Sequence, residues 1–109
     1  MSYKVIATES FIRDSKHLNK KYASFKKDIM GLEEILAINP TAGTPLGNNC
    51  YKIRLAITSK GPGKSGGGRV ITCVKIIKET VFLLSVYDKS EQEDLSDKEL
   101  NGLMNQLPE

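Results

Sequence analysis

The chain has 109 residues, of which 39% are hydrophobic and 27% charged, with a formal net charge of +3. That length holds one domain, residues 1–109, around one core, and the balance excludes a disordered or fibrous protein. No apolar run approaches the roughly 20 residues that span a bilayer, and the N-terminus lacks the blocks of a signal peptide, so a cytoplasmic protein without a membrane partner is expected.

Tyr3 to Ala7 alternates weakly and predicts a short opening strand. From Ser10 to about Ile38, the residues Phe11, Leu18, Tyr22, Phe25, Ile29, Leu32 and Leu36 recur at three- and four-residue steps. This places them on one helical face, with a break near Ala23 and Ser24 that would divide the helix in two. Asn39 and Pro40 stop it, because proline disfavours helical dihedrals in the residue before it. Gly43, Pro45 and Gly47 then read as a connecting loop. Cys50–Thr58 and Arg69–Ile77 have strand composition and are separated by a glycine-rich stretch. Thr80 to Tyr87 follows so closely that the last two strands make a tight hairpin. Ser96, Asp97, Lys98, Glu99 is a capping box opening a short helix with the apolar stripe Leu100, Leu103, Met104 and Leu107. The order predicts an α+β domain, helices packed against an antiparallel sheet. Cys50 and Cys73 fall in apolar strands and are expected as buried free thiols.

Charge is unevenly spread along this framework. Between Ile35 and Lys78 there is no acid, while Lys52, Arg54, Lys60, Lys64, Arg69, Lys75 and Lys78 all lie there. The acids gather toward the C-terminus, where they read as solvated. Such a positive field attracts polyanions, nucleic acid first among them. In the strand Tyr51, Lys52, Ile53, Arg54, Leu55, period-two alternation sends the apolar residues one way and the two cations the other. An isolated pair of that kind is usually a solvated face. It becomes a site if Arg69, opening the next strand, and Lys89, following the last, converge on it. The loop from Lys60 to Gly68 is not a phosphate loop, because Thr58 stands where the first glycine is needed and a strand follows instead of a helix. Its lysines, Lys60 and Lys64, are expected to meet phosphates, as is Lys75. The single histidine, His17, is expected at the surface, and no Cys or His spacing suits a metal.

The Asn39–Pro40 stop, the loop to Gly47, YKIRLA from Tyr51 to Ala56, KGPGKSGGGRVI from Lys60 to Ile71 and YDKSEQEDLSDKEL from Tyr87 to Leu100 together resemble the RelE/ParE superfamily of bacterial toxins. Within it they are most similar to the RelE and HigB-like ribonucleases. The resemblance implies a RelE-like fold: a curved antiparallel sheet, two N-terminal helices and a short C-terminal helix. It implies the toxin of a type II toxin-antitoxin system that cleaves mRNA on the ribosome without metal or other cofactor. Its partners would be mRNA, rRNA and a cognate antitoxin, often one with a helix-turn-helix domain. Lys52, Arg54, Arg69 and Lys89 fall at positions that are basic in relatives. The tyrosine that RelE-type toxins place near the start of the C-terminal helix has no counterpart, since Leu95 stands there, which leaves Tyr87 or Lys89 as the proton donor. Among crowded cations Lys52 is the candidate base, a role arginine cannot fill, with Arg54 and Arg69 clamping the phosphate. The competing readings are a gyrase inhibitor of the ParE kind and a relative that binds RNA without cutting it.

Overall fold

Each helix of the computed structural model, which describes residues 2–60 and 67–108, begins or ends where a particular side chain dictates. Strand β1 (Lys4–Ala7) leads into helix α1 (Glu9–Lys21), where the Thr8 hydroxyl accepts the Phe11 N–H and caps the helix start. Tyr22 leaves the helical region, and α2 (Phe25–Ile38) begins three residues later, so the predicted break falls as expected. Asn39 and Pro40 end α2. After β2 (Thr44–Gly47), β3 (Cys50–Leu55), β4 (Gly68–Lys75) and β5 (Thr80–Asp88), α3 (Asp97–Met104) opens on Ser96. Both halves of the predicted capping box are present there.

The five strands form one sheet in the order β1-β5-β4-β3-β2. From β5 to β2 every pairing is antiparallel, as predicted, but β1 runs parallel to β5, so the sheet is mixed. The stretch expected as a loop through Gly43, Pro45 and Gly47 is partly β2, an exposed edge strand on β3. Proline is tolerated there because an edge strand can lack one donor. Asn48 and Asn49, with φ of 54° and 62°, make the two-residue hairpin turn between β2 and β3. Gly43 approaches β3 so closely that a Cβ on it would lie 2.6 Å from the Lys52 carbonyl oxygen.

The sheet is covered on both faces. One carries Ile53, Leu55, Val70, Val74, Val81, Leu83 and Val86 against Phe11, Leu18, Phe25, Ile29, Leu32 and Leu36 of the first two helices. On the other, Cys50, Ile71, Cys73, Phe82, Leu84 and Tyr87 meet Leu100, with Leu95, Leu103, Met104 and Leu107 at the margin. Period-two alternation produces this division, and a bulge between Ile71 and Thr72 shifts the β4–β5 register. Cys50 and Cys73 are free, buried and directly opposite each other. Beyond Leu83, where β1 ends, α1 shields the edge of β5. Ser10 Oγ donates to the Leu84 carbonyl, while Asp14 accepts from Ser85 Oγ and the Val86 N–H. No helix among the described residues is long and apolar enough to cross a membrane.

Candidate nucleic-acid interface

Strand register assembles the site. Arg54 on β3 lies opposite Arg69 on β4, and Arg69 lies opposite Tyr87 on β5. Directly opposed residues of antiparallel strands project from the same face, so these three form a line across neighbouring strands about 4.8 Å apart. Lys52 precedes Arg54 by two residues on β3 and shares that face. The α3 end of the molecule therefore presents Lys52, Arg54, Arg69 and Tyr87 side by side. Arg54 is exposed, while Lys52 and Arg69 are half-buried. One Arg69 amino nitrogen donates to the Gly68 carbonyl at 3.0 Å, which holds the side chain near the start of its strand.

Tyr87 is 6% exposed, packed in the cluster beneath α3, with its hydroxyl 3.4 Å from Asp94 Oδ1. Burial, reinforced by the Asp94 carboxylate, pushes its phenol up to about 12 although the Arg69 charge opposes this. It therefore stays protonated throughout the physiological range. Lys52 donates to both Asp94 oxygens at 3.4 Å. An acid thus reaches Lys52 from 42 residues away, which the acid-free stretch around it gave no reason to expect. Lys89 follows β5 directly, half-buried, with its backbone N–H donating to the Gly67 carbonyl.

The expected phosphate-contact lysines are dispersed. Lys75 ends β4, six residues from Arg69, or about 20 Å along the strand. Lys60 Nζ is 3.0 Å from Asp88 Oδ1 and turned toward α1, not toward the row. Lys64 lies outside the described residues. His17 is at the surface, paired with Glu91 at 3.0 Å.

Asp88 corrects the expectation that the C-terminal acids are solvated. It is 1% exposed and accepts from Lys21, Lys60, the Tyr22 hydroxyl and both the N–H and Oγ of Ser90. Burial alone would raise its pKa, but the hydrogen bonds from Ser90, Tyr22 and Lys21 outweigh it and hold the carboxyl well below the usual carboxylate range. The hub joins α1, the short turn at Thr58–Lys60 and the end of β5 directly behind Tyr87. Its signal in the sequence was an acid closing an otherwise apolar run, TVFLLSVYD. Beside it, along the edge of β5, a depression of about 710 Å³ opens between α1 and α3, lined in part by Arg13, His17, Tyr87, Glu91 and Glu99. Its charges are mixed, unlike those of the row.

Residues 3–106 match the family described as RelE toxin of the RelE / RelB toxin-antitoxin system. The chain belongs to the RelE toxin family. This RelE-family toxin is also similar in structure to a double arginine-to-alanine variant of E. coli toxin RelE in the free state. That match has 25% identity and a TM-score of 0.60, and covers 85% of this chain and 90% of the other. A second similar structure is the toxin-antitoxin complex RelBE2 from Mycobacterium tuberculosis, at 20% identity and TM-score 0.61, covering 81% of this chain and 92% of that one. The second likeness concerns the fold. Both agree with the α+β arrangement of three helices on a five-stranded sheet.

Proposed function

We propose that this RelE-family toxin is a metal-independent endoribonuclease that cleaves mRNA on the ribosome and so arrests translation in the cytoplasm. One observation carries the reading: two arginines and a protonated tyrosine stand in line on three adjacent strands, with a lysine two residues along. Cleavage by attack of a ribose 2'-hydroxyl on its own 3'-phosphate needs a base, a counter-charge for the phosphoryl oxygens and a proton for the leaving oxygen. Lys52, in its neutral form, is the base, and its contact with Asp94 keeps it in place. Arg54 and Arg69 remain charged and clamp the phosphate in the transition state. Tyr87 keeps its proton until the 5'-oxygen departs, and Lys89, just beyond it in sequence, is the second candidate donor.

These groups are weak acid-base catalysts, so much of the rate must come from alignment of the message, which the ribosome supplies. Lys75 extends the basic surface toward mRNA or rRNA, Lys64 is a further contact by its charge alone, and Lys60 must leave Asp88 to become one. The HigB-like character of the glycine-rich stretch favours an antitoxin with a helix-turn-helix domain. The test is primer-extension mapping on ribosomes translating a defined message. Cleavage that needs the protein, and is lost in Arg69→Ala, supports the reading. Intact message at full occupancy of the ribosome refutes it.

A further inference from the structure

We propose that Asp94 is a positioning residue of this site, its carboxylate tying Lys52 on β3 to Tyr87 on β5 across β4. The inference rests on the nuclease reading for its catalytic meaning and on geometry for its existence. Lys52 and Tyr87 stand on strands that do not touch, and they belong to different rows, since Lys52 faces Ile71 while Tyr87 faces Arg69. Nothing in the strand register links these two proton-transfer groups. Asp94 does, with Oδ1 at 3.4 Å from both the Lys52 ammonium and the Tyr87 hydroxyl.

An exposed ion pair alone would mean little, because such pairs contribute little to stability. Three further contacts separate Asp94 from that case. Its Oδ1 accepts the Leu95 N–H at 2.8 Å, which fixes the carboxylate on its own backbone. The Gln92 amide donates to the Asp94 carbonyl at 3.0 Å, which fixes the backbone. Ser96, two residues on, caps α3, and α3 is docked by Leu100 on the same cluster that holds Tyr87. The carboxylate is therefore delivered by a constrained segment. Of the neighbouring acids, Glu91 is engaged with His17 and Lys21, and Glu99 in the capping box.

Electrostatics agrees with the geometry. The Leu95 N–H first, and the Lys52 ammonium with it, hold Asp94 below the usual carboxylate range, so it is charged whenever the protein is folded near neutrality. Around Tyr87 stand Asp94 on the β5–α3 connection, Glu99 on α3 and Arg69 on β4, with Arg13, Asp14 and His17 of α1 lining the same depression. Asp94 and Glu99 favour the protonated phenol, and Arg69 favours the phenolate. Removing the Asp94 charge leaves Arg69 less opposed, and Tyr87 must become more acidic.

The experiment needs no RNA for its first part. The four tyrosines are replaced by 3-fluorotyrosine, whose ring fluorine makes the phenols acidic enough to titrate while the protein stays folded. Fluorine NMR follows each one, and Tyr87→Phe assigns its resonance. Asp94→Asn is expected to move the Tyr87 titration to lower pH and Asp94→Glu to restore it, while the other tyrosines hold still. A Tyr87 titration unmoved by Asp94→Asn overturns the proposal. The second part measures cleavage on the ribosome. Asp94→Asn should lower kcat by about tenfold to a hundredfold with little change in KM, as expected of lost alignment, and Asp94→Glu should recover part of it. Unchanged kcat alongside a shifted titration would overturn the positioning role. Absence of cleavage by the unmodified protein would fell the nuclease reading, while the titration still decides whether Asp94 holds Tyr87.

Discussion

Replacing Asp88 should expose how much of this small fold depends on one buried acid. Asp88→Ala removes the acceptor for Lys21, Lys60, Tyr22 and Ser90 in a single step, and it leaves the Lys60 ammonium, on a side chain only 19% exposed, without this partner. Breaking a buried charge pair by removing one partner costs about 3–5 kcal/mol. Lys21 and Lys60 both retain some access to water, which places the expected loss nearer 3 kcal/mol. For a domain of this size that corresponds to a fall of roughly 10–20 °C in Tm. Asp88→Asn keeps one of the two acceptor oxygens, enough for Ser90 or for Tyr22 but not both, and should lose about half as much. Acid titration gives an independent check of sign. The carboxyl is depressed from its ordinary value of 3.8, so its stabilisation is fully present above that pH and is lost as pH falls through the lower, folded-state value. Urea unfolding followed by circular dichroism at pH 7 and pH 3 measures both effects. A loss below about 0.5 kcal/mol for Asp88→Ala at pH 7, or equal acid sensitivity of the unmodified protein and Asp88→Asn, would refute the hub.

Arg54→Ala should leave stability within about 0.5 kcal/mol, because the side chain is exposed, yet lower ribosome-dependent cleavage by about a hundredfold, read together from urea unfolding and primer extension. Tyr87→Phe preserves the packing under α3 and should be less alkali-sensitive than the unmodified protein. The phenol is raised from 10.0 to about 12, so its contribution is complete below pH 10 and fades between those values, a difference that thermal melts across that range would show. Gly43→Ala places a Cβ 2.6 Å from the Lys52 carbonyl oxygen at a φ of +103°, and should cost about 1–3 kcal/mol while loosening β3, measurable as faster amide exchange at Lys52.

Local patterns were legible in the sequence wherever the deciding forces are local. The stripe from Phe11 to Leu36, the Asn39–Pro40 stop and the Ser96–Glu99 box each depend on neighbours within one or two turns, and each sits where periodicity places it. Alternation likewise put Lys52 and Arg54 on one face. Pairing partners were not legible, because β1 finds β5 from the far end of the chain, and nothing in Tyr3 to Ala7 encodes a parallel neighbour. β2 was hidden because Pro45 and its flanking glycines are loop residues by composition and become a strand only where β3 offers an edge. The site divides along the same line. Its cations could be named from the sequence, whereas Asp94 and Asp88 acquired meaning only when folding brought them to lysines 42 and 28 residues away.

The line from Arg54 through Arg69 to Tyr87 also imposes an order in time on the making of this protein. Its three members come from β3, β4 and β5, and the carboxylate that joins Lys52 to Tyr87 comes later still. A growing chain that has reached only Lys75 carries both arginines and Lys52, but it has neither the phenol nor the strand that would flank β4. The site cannot exist on an unfinished polypeptide. A nonsense mutation anywhere before β5 is therefore expected to yield a basic fragment that lacks the proposed site.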